Sequence, residues 1–409
     1  MVESAATGRV ARVEFTGSRS DLFGLLVRGH ILMLPTIGIY RFWMVTWKRR
    51  FYWQNTVIDG DALEYTGHAV QLLLGFLFAL GFFLPIYIVF FYLSTQTQTI
   101  AVLGYGSVAV VLWFLTGYAI YRARDFRLSR TLWRGIRFDQ KGSALGYAFR
   151  RFGWSLLMVP TLGLIYPFMA ASLWRYRWRN SWYGDRQFWF EGSWRKIAGP
   201  YYLCYFALVI FSLFVLGYIG SNPEQIVLED GSKIPGAGVW GLLTIDLLLA
   251  GLCFIFFRSR ESTRMFSAIR IGDSAISVRV RARSLLGQYV LYGLVMLAAL
   301  ISFFLVIAAM IGTMAMSNST GTPGFDPTTL VQIFQSGWVT MVVIILAYLT
   351  LLSIWSILTE TILGFGYWAL VARSASITNP DSLRSVRAAD EDMALAGEGL
   401  ADALNVGAY

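Results

Sequence analysis

The stretch Leu32-Met33-Leu34-Pro35-Thr36-Ile37-Gly38-Ile39 decides the reading of this chain, because it returns as Leu157-Met158-Val159-Pro160-Thr161-Leu162-Gly163-Leu164. A shift of 125 positions, without gaps, also lays Met44 on Met169, Arg50 on Arg175, Trp53 on Trp178, Asn55 on Asn180 and Gly67 on Gly192. The phrase is apolar and aromatic, is broken once by proline, and runs into arginines. We read it as one half of an internal duplication in a membrane protein.

Composition agrees with that reading. The chain is 56% hydrophobic, 16% aromatic and only 14% charged, whereas a soluble domain carries about 25% charged residues. Crossing a hydrocarbon core of about 30 Å takes about 20 helical residues. Apolar runs of that order occur at Leu72–Leu93, Ile100–Ile120, Leu203–Ile219, Val239–Phe257, Leu285–Met316 and Val331–Val371. The polar start, Met1–Asp21, lacks the short apolar segment and small-residue cleavage site of a secretory signal.

A net charge of +10 raises nucleic acid as a partner, but its distribution argues for a bilayer. The cations gather at 48–50, 122–141, 175–196 and 258–283, each group bordering an apolar run. The alternate loops carry almost none: 94–99 has no cation, 220–238 has Lys233 alone, and 318–329 has only Asp326. This asymmetry places the basic loops and both termini in the cytoplasm of a multi-pass protein, with anionic lipids as neighbours.

The same rule tests the repeated phrase. If 22–47 and 147–173 each crossed once, the basic groups at 122–141 and 175–196 would face opposite sides. Split at proline, each copy gives halves of roughly 14–20 Å, too short to span. A re-entrant hairpin turning at Pro35-Gly38 and Pro160-Gly163 satisfies both constraints; a proline-kinked crossing is the alternative. Arg28, His30, Arg150 and Arg151 lie inside these segments, where a true span rarely tolerates charge.

Short alternating segments precede the helices: Val13–Phe15, Leu63–Tyr65, Phe138–Gln140, Phe188–Phe190 and Ile276–Ala282. Period two reads as strand, and the Gly-Ser junctions at 17–18, 142–143 and 192–193 supply a turn and a helix cap. We expect these strands to pair into a small cytoplasmic sheet with free edges, on which a protein partner can dock. The fold class is therefore a mostly α polytopic membrane protein of repeated strand, cap and helical-hairpin modules. It has six full spans and two short hairpins, divided as 1–66, 67–141, 142–191 (a copy of 17–66), 192–282, 283–373 and a flexible tail 374–409.

These residues resemble the YjgN family of bacterial inner-membrane proteins. The resemblance rests on Thr36-Ile37-Gly38-Ile39-Tyr40-Arg41-Phe42-Trp43, Asn55-Thr56-Val57-Ile58-Asp59-Gly60, Trp133-Arg134-Gly135-Ile136-Arg137-Phe138 and Thr161-Leu162-Gly163-Leu164-Ile165-Tyr166-Pro167-Phe168. It runs from Val13 to Arg373 and implies a bacterial inner-membrane location. The family is a domain of unknown function, so it transfers no catalytic or binding residue. For some members it implies a membrane-associated zinc peptidase as companion.

Little in the sequence points to catalysis. Its two histidines, His30 and His68, have no carboxylate at a useful spacing, and Cys204 and Cys253 stand alone in separate apolar runs. No phosphate loop, dinucleotide fingerprint or metal motif occurs, so no cofactor or metal is expected. Two acids merit weighing as an intramembrane polar site: Asp246 within 239–257 and Glu360 within 331–371. They are the basis for a proton- or cation-coupled transporter or channel as the alternative function. The favoured expectation is a non-enzymatic scaffold or lipid-interacting protein, with Arg49, Arg50, Arg175, Arg177, Arg179 and Trp178 meeting headgroups.

Overall fold

The computed structural model describes residues 9–221, 225–227, 233–318 and 337–389. The loops expected around Lys233 and Asp326, and the tail with Asp390-Glu391-Asp392 and a short helix at Glu398–Leu404, fall largely or wholly outside those residues.

The elements alternate between strand pairs and helix pairs. β1 (Val10–Phe15) leads into α1 (Arg19–Met33) and α2 (Arg41–Gln54), then β2 (Thr56–Ile58) and β3 (Asp61–Tyr65). α3 (Ala69–Ser94) and α4 (Gln98–Leu128) follow, then β4 (Thr131–Trp133) and β5 (Ile136–Gln140). α5 (Ala144–Met158) and α6 (Tyr166–Arg179) precede β6 (Ser181–Tyr183) and β7 (Arg186–Phe190). α7 (Trp194–Ser221) and α8 (Ala237–Phe266) bracket a small separate hairpin, β8 (Gln225–Val227) with β9 (Lys233–Pro235). β10 (Ile269–Ile271) and β11 (Ser274–Ser277) then lead into α9 (Ala282–Asn318). α10 (Gly337–Leu358), a π-helical turn (Thr359–Gly364), α11 (Phe365–Ser374), β12 (Ser376–Thr378) and a 3-10 turn (Pro380–Ser385) complete the chain.

The strands form a closed antiparallel barrel in the order β1-β12-β11-β10-β7-β6-β5-β4-β3-β2. Closure joins the two ends of the chain, since Val10 pairs with Thr378 and Arg12 with Ser376. This corrects the expectation of a sheet with free edges: every barrel strand has a neighbour on both sides, so the docking edge does not exist. It also corrects the tail, because residues 376–378, expected to be flexible, are the closing strand.

Tight turns with positive φ shape the barrel. Asp59-Gly60 (52° and 89°) joins β2 to β3, and Arg134-Gly135 (53° and 73°) joins β4 to β5, both in the left-handed conformations that match strand twist in two-residue hairpins. Alternate side chains point inward, as in β1 with its exposed-buried alternation. Trp133, Tyr183, Phe188, Phe190, Ile269, Ile271 and Ile377 make a continuous apolar core, joined by Leu383 and Val386 from the segment after β12.

Two compact units share the chain. The first holds the barrel and α2–α8; the second holds residues 18–38 and 283–370, which include α1, α10, the π-turn and most of α9 and α11. Among the described residues, six candidate spans lie at Ala69–Ser94, Val102–Leu128, Trp194–Ser221, Ala237–Phe266, Ala282–Ala309 and Met341–Ser374. At most 11% of each span's apolar window is buried within the protein. Such bare apolar helices need hydrocarbon around them. The six runs seen in the sequence thus become six helices of spanning length, and the chain is a multi-pass membrane protein.

The short helix pairs α1–α2 and α5–α6 are absent from that set. Their helices have 14–15 residues, about 21–23 Å, longer than the halves expected because each extends into a polar end. Ser18 and Ser143 cap α1 and α5, accepting from the backbone N–H of Ser20 and Gly146. The two ends of each pair return to adjacent strands: Phe15 pairs with Thr56, and Gln140 with Ser181. Chain entry and exit are therefore neighbours on one rim of the barrel.

Candidate functional site

The two proline turns have the same geometry. Pro lacks the N–H that a continuing helix needs, and α1 and α5 end just before it. In the first turn the Thr36 hydroxyl donates to Leu32 O at 2.7 Å and Gly38 N–H to Met33 O at 2.8 Å. In the second, Thr161 donates to Leu157 O at 2.7 Å and Gly163 N–H to Met158 O at 2.9 Å. Both turns place an apolar residue and then glycine at positive φ: Ile37 (50°) with Gly38 (82°), and Leu162 (48°) with Gly163 (89°). Ile37 is 93% exposed and Leu162 78%.

A turn of this kind in water normally takes Asn, Asp or Gly at the left-handed positions, and a β-branched residue there is an outlier. Two large apolar side chains at strained, uncovered tips call for an apolar surrounding. The second turn adds a further device. Tyr205, Tyr201 and Tyr202 of α7 donate their hydroxyls to the carbonyls of Leu162 (2.8 Å), Gly163 (2.7 Å) and Leu164 (3.0 Å). Three consecutive non-helical carbonyls thus accept from side chains, Gly163 O also accepting from Tyr166 N–H at 3.0 Å; backbone held away from water needs such partners. The signal was present in the sequence as Tyr201-Tyr202-x-x-Tyr205, one helical face, but sequence reasoning missed it.

The arginines expected at headgroups are partly turned inward. Arg50 donates to Gly67 O at 3.2 Å and Arg175 to Gly192 O at 3.1 Å, both 17 residues on. Each ties a short helix to the junction before the following span. Arg49 donates to the Tyr65 hydroxyl at 3.0 Å. The Trp178 ring lies 4.8 Å beneath the Arg124 guanidinium and packs on Phe188. Arg124 donates to Gln140 Oε1 (2.6 Å), Ser181 Oγ (2.7 Å) and Arg177 O (3.3 Å), locking α4 and α6 to β5 and β6. Arg177 stacks on Trp174 and Arg179 on Trp189. The arginine repeats at the ends of α4 and α8 also serve packing: Arg122 pairs with Asp125 at 2.9 Å and Arg258 with Glu261 at 3.2 Å.

At the barrel end that carries the hairpin turns, a chain of charges runs Asp61–Arg134–Asp59–Arg9–Asp381–Arg384 over contacts of 2.5–3.3 Å. Burial opposes the Arg134 charge, but hydrogen bonds to Asp61 and Asp59 outweigh it and hold the guanidinium above its ordinary pKa. The segment after β12 crosses this end. Arg387 N–H donates to Asp185 Oδ1 at 3.1 Å and Asp185 N–H to Arg387 O at 3.0 Å. Beneath it, Tyr183 donates to Trp133 O at 3.0 Å, and burial pushes its hydroxyl up to about 12.

The acids weighed for transport are not gathered into one centre within either unit. Asp246, in the first unit, accepts from Ser212 of α7 at 3.0 and 3.2 Å. Glu360, in the second, sits in the π-helical turn with its carboxylate against Gly364. His30 contacts Leu26 O through Nδ1, and His68 occupies an N-cap without a side-chain cap bond. Cys204 and Cys253, far apart in sequence, come together: both are free, with the Cys204 Sγ 3.6 Å from Cys253 O. Among the described residues no cluster of His, Cys, Asp and Glu is suited to a metal.

Fold and site together define a class: a multi-pass membrane protein in which helical hairpins, long and short, are strung on one closed barrel. The chain belongs to the YjgN family, described as "Bacterial protein of unknown function (DUF898)", which it matches over residues 10–300 of its 409. No curated protein and no solved structure matches it.

Proposed function

We propose that the protein is a non-enzymatic, lipid-organising scaffold of the bacterial inner membrane. Its barrel and both termini lie at the cytoplasmic face, and two duplicated hairpins enter one leaflet to half depth and return. One observation carries this reading: each short hairpin begins and ends on paired strands of a single barrel, while its tip is apolar and uncovered. Entry and exit on one rim favour re-entrance over a kinked crossing. The basic segments, which run into or through the barrel strands, favour the cytoplasmic side for the barrel. A half-depth hairpin displaces lipid from one leaflet only, which is the physical basis for local lipid organisation. The transport alternative has less support, because Asp246 accepts from Ser212 of the adjacent helix and the Glu360 carboxylate packs against Gly364 of its own π-helical turn.

Substitution at the tips tests the reading. Asn relieves the left-handed strain at Leu162 but costs free energy in hydrocarbon. Leu162→Asn and Ile37→Asn should therefore destabilise the protein in lipid bicelles by about 1–3 kcal/mol. Stabilisation by either variant, the outcome for a tip in water, would overturn the proposal.

A further inference from the structure

The second short hairpin carries a charge pair that its counterpart lacks. Arg150 and Arg151 stand six and seven residues into α5, about 9–11 Å along it, whereas the positions 125 earlier are Leu25 and Leu26. The Arg150 guanidinium lies 4.8 Å over the Tyr176 ring, and Tyr176 is itself fixed by its hydroxyl donating to Ser143 O at 2.8 Å. Arg151 has a buried Nε with no hydrogen-bond partner. Among the described residues neither guanidinium meets a carboxylate. Beside Arg150 the helix surface is apolar and open: Phe149 is 66% exposed and Leu157 48%. Gly146 and Gly153 make a shallow groove in that face, with Phe149, Arg150, Trp154 and Leu157 along it.

Two cations on an apolar, half-depth helix with no anion of their own call for one from outside. We propose that this face of α5 binds an anionic phospholipid: Arg150 holds the phosphate through its planar fork, Arg151 adds charge beside it, and an acyl chain lies over Gly153. The site rests on the reading that the hairpin enters the bilayer. A phosphodiester matches the guanidinium geometry, and the groove supplies the apolar surface that a free phosphate has no use for.

The test is native mass spectrometry of the full chain in mild detergent, with added phosphatidylglycerol, phosphatidylcholine or glycerol phosphate. Wild type should retain phosphatidylglycerol stoichiometrically and neither of the others. Arg150→Ala should lower that retention at least tenfold, Arg150→Lys less, and Gly153→Leu, which fills the groove and keeps both charges, should lower it too. Nothing lies within 4 Å of a Cβ placed at Gly153, so the first atom of that side chain enters open space. Retention unchanged in both Arg150→Ala and Gly153→Leu overturns the site, as does equal retention of phosphatidylcholine or binding of glycerol phosphate. A label at Leu162 in the same samples reports hairpin depth separately. A tip found in water overturns the reading beneath the site, whereas a buried tip with unselective lipid overturns the site alone.

Discussion

Replacing Tyr201, Tyr202 and Tyr205 together with Phe removes three hydroxyls and almost nothing else. The rings keep their packing, including the Tyr166–Tyr201 stack at 5.1 Å. What is lost is the set of hydrogen bonds at 2.7–3.0 Å to the carbonyls of residues 162–164. Side-chain hydrogen bonds in membrane proteins contribute about 0.6–1.7 kcal/mol each, so the triple variant should lose about 2–5 kcal/mol. The three donors serve one turn, so single variants should each lose less than a third of that sum, the remaining bonds holding the turn in place. If the turn lay in water, solvent would replace each hydroxyl and the loss would shrink toward zero. Reversible unfolding by denaturing detergent in bicelles measures the difference. A triple variant within about 0.5 kcal/mol of the parent would refute the reasoning that these tyrosines satisfy backbone away from water.

Three further outcomes follow from the structure. Gly184→Ala should destabilise the barrel by about 2–4 kcal/mol, because a Cβ there would stand 2.1 Å from Arg387 O at a φ of 54°; thermal unfolding reads this. Tyr183 ionises at about 12 when folded against 10 when exposed. Its contribution is therefore complete below pH 10 and lost as pH rises toward 12, and Tyr183→Phe should flatten that part of a stability–pH profile. Asp246→Asn and Glu360→Gln should leave proton flux across proteoliposomes at the protein-free level, as it is for the parent; a flux in the parent that either variant abolishes would restore the transport reading.

The six spans were legible because apolar runs of membrane length need no tertiary context. The short helix pairs were legible because Pro35 and Pro160 divide apolar runs into two short halves. The barrel was only half legible. β1, β3, β5 and β7 are long enough to show alternation, but β2, β4, β6, β10 and β12 span three residues each, too few for any period. The dipeptide Asp59-Gly60, a strong hairpin signal, would have revealed β2. Closure had no local signal at all, since it pairs Val10 with Thr378 across nearly the whole chain. The arginines show a different limit. Arg50 and Arg175 border apolar runs as headgroup ligands do, and only the fold reveals that each reaches a glycine carbonyl 17 residues away.

The proposal that the short hairpins are re-entrant is tested most directly by the depth of a tip. A nitroxide on Leu162→Cys, with Cys204 and Cys253 replaced by Ala, reports depth in reconstituted bilayers through its relative exposure to oxygen and to a water-soluble nickel chelate. Tyr201–Tyr205, which grip this turn, stand about 11–17 Å along α7 from Trp194. The account predicts a label buried about 10–17 Å below the phosphates of the face that bears the barrel. A label open to the nickel chelate, or one lying at the opposite surface, would contradict it.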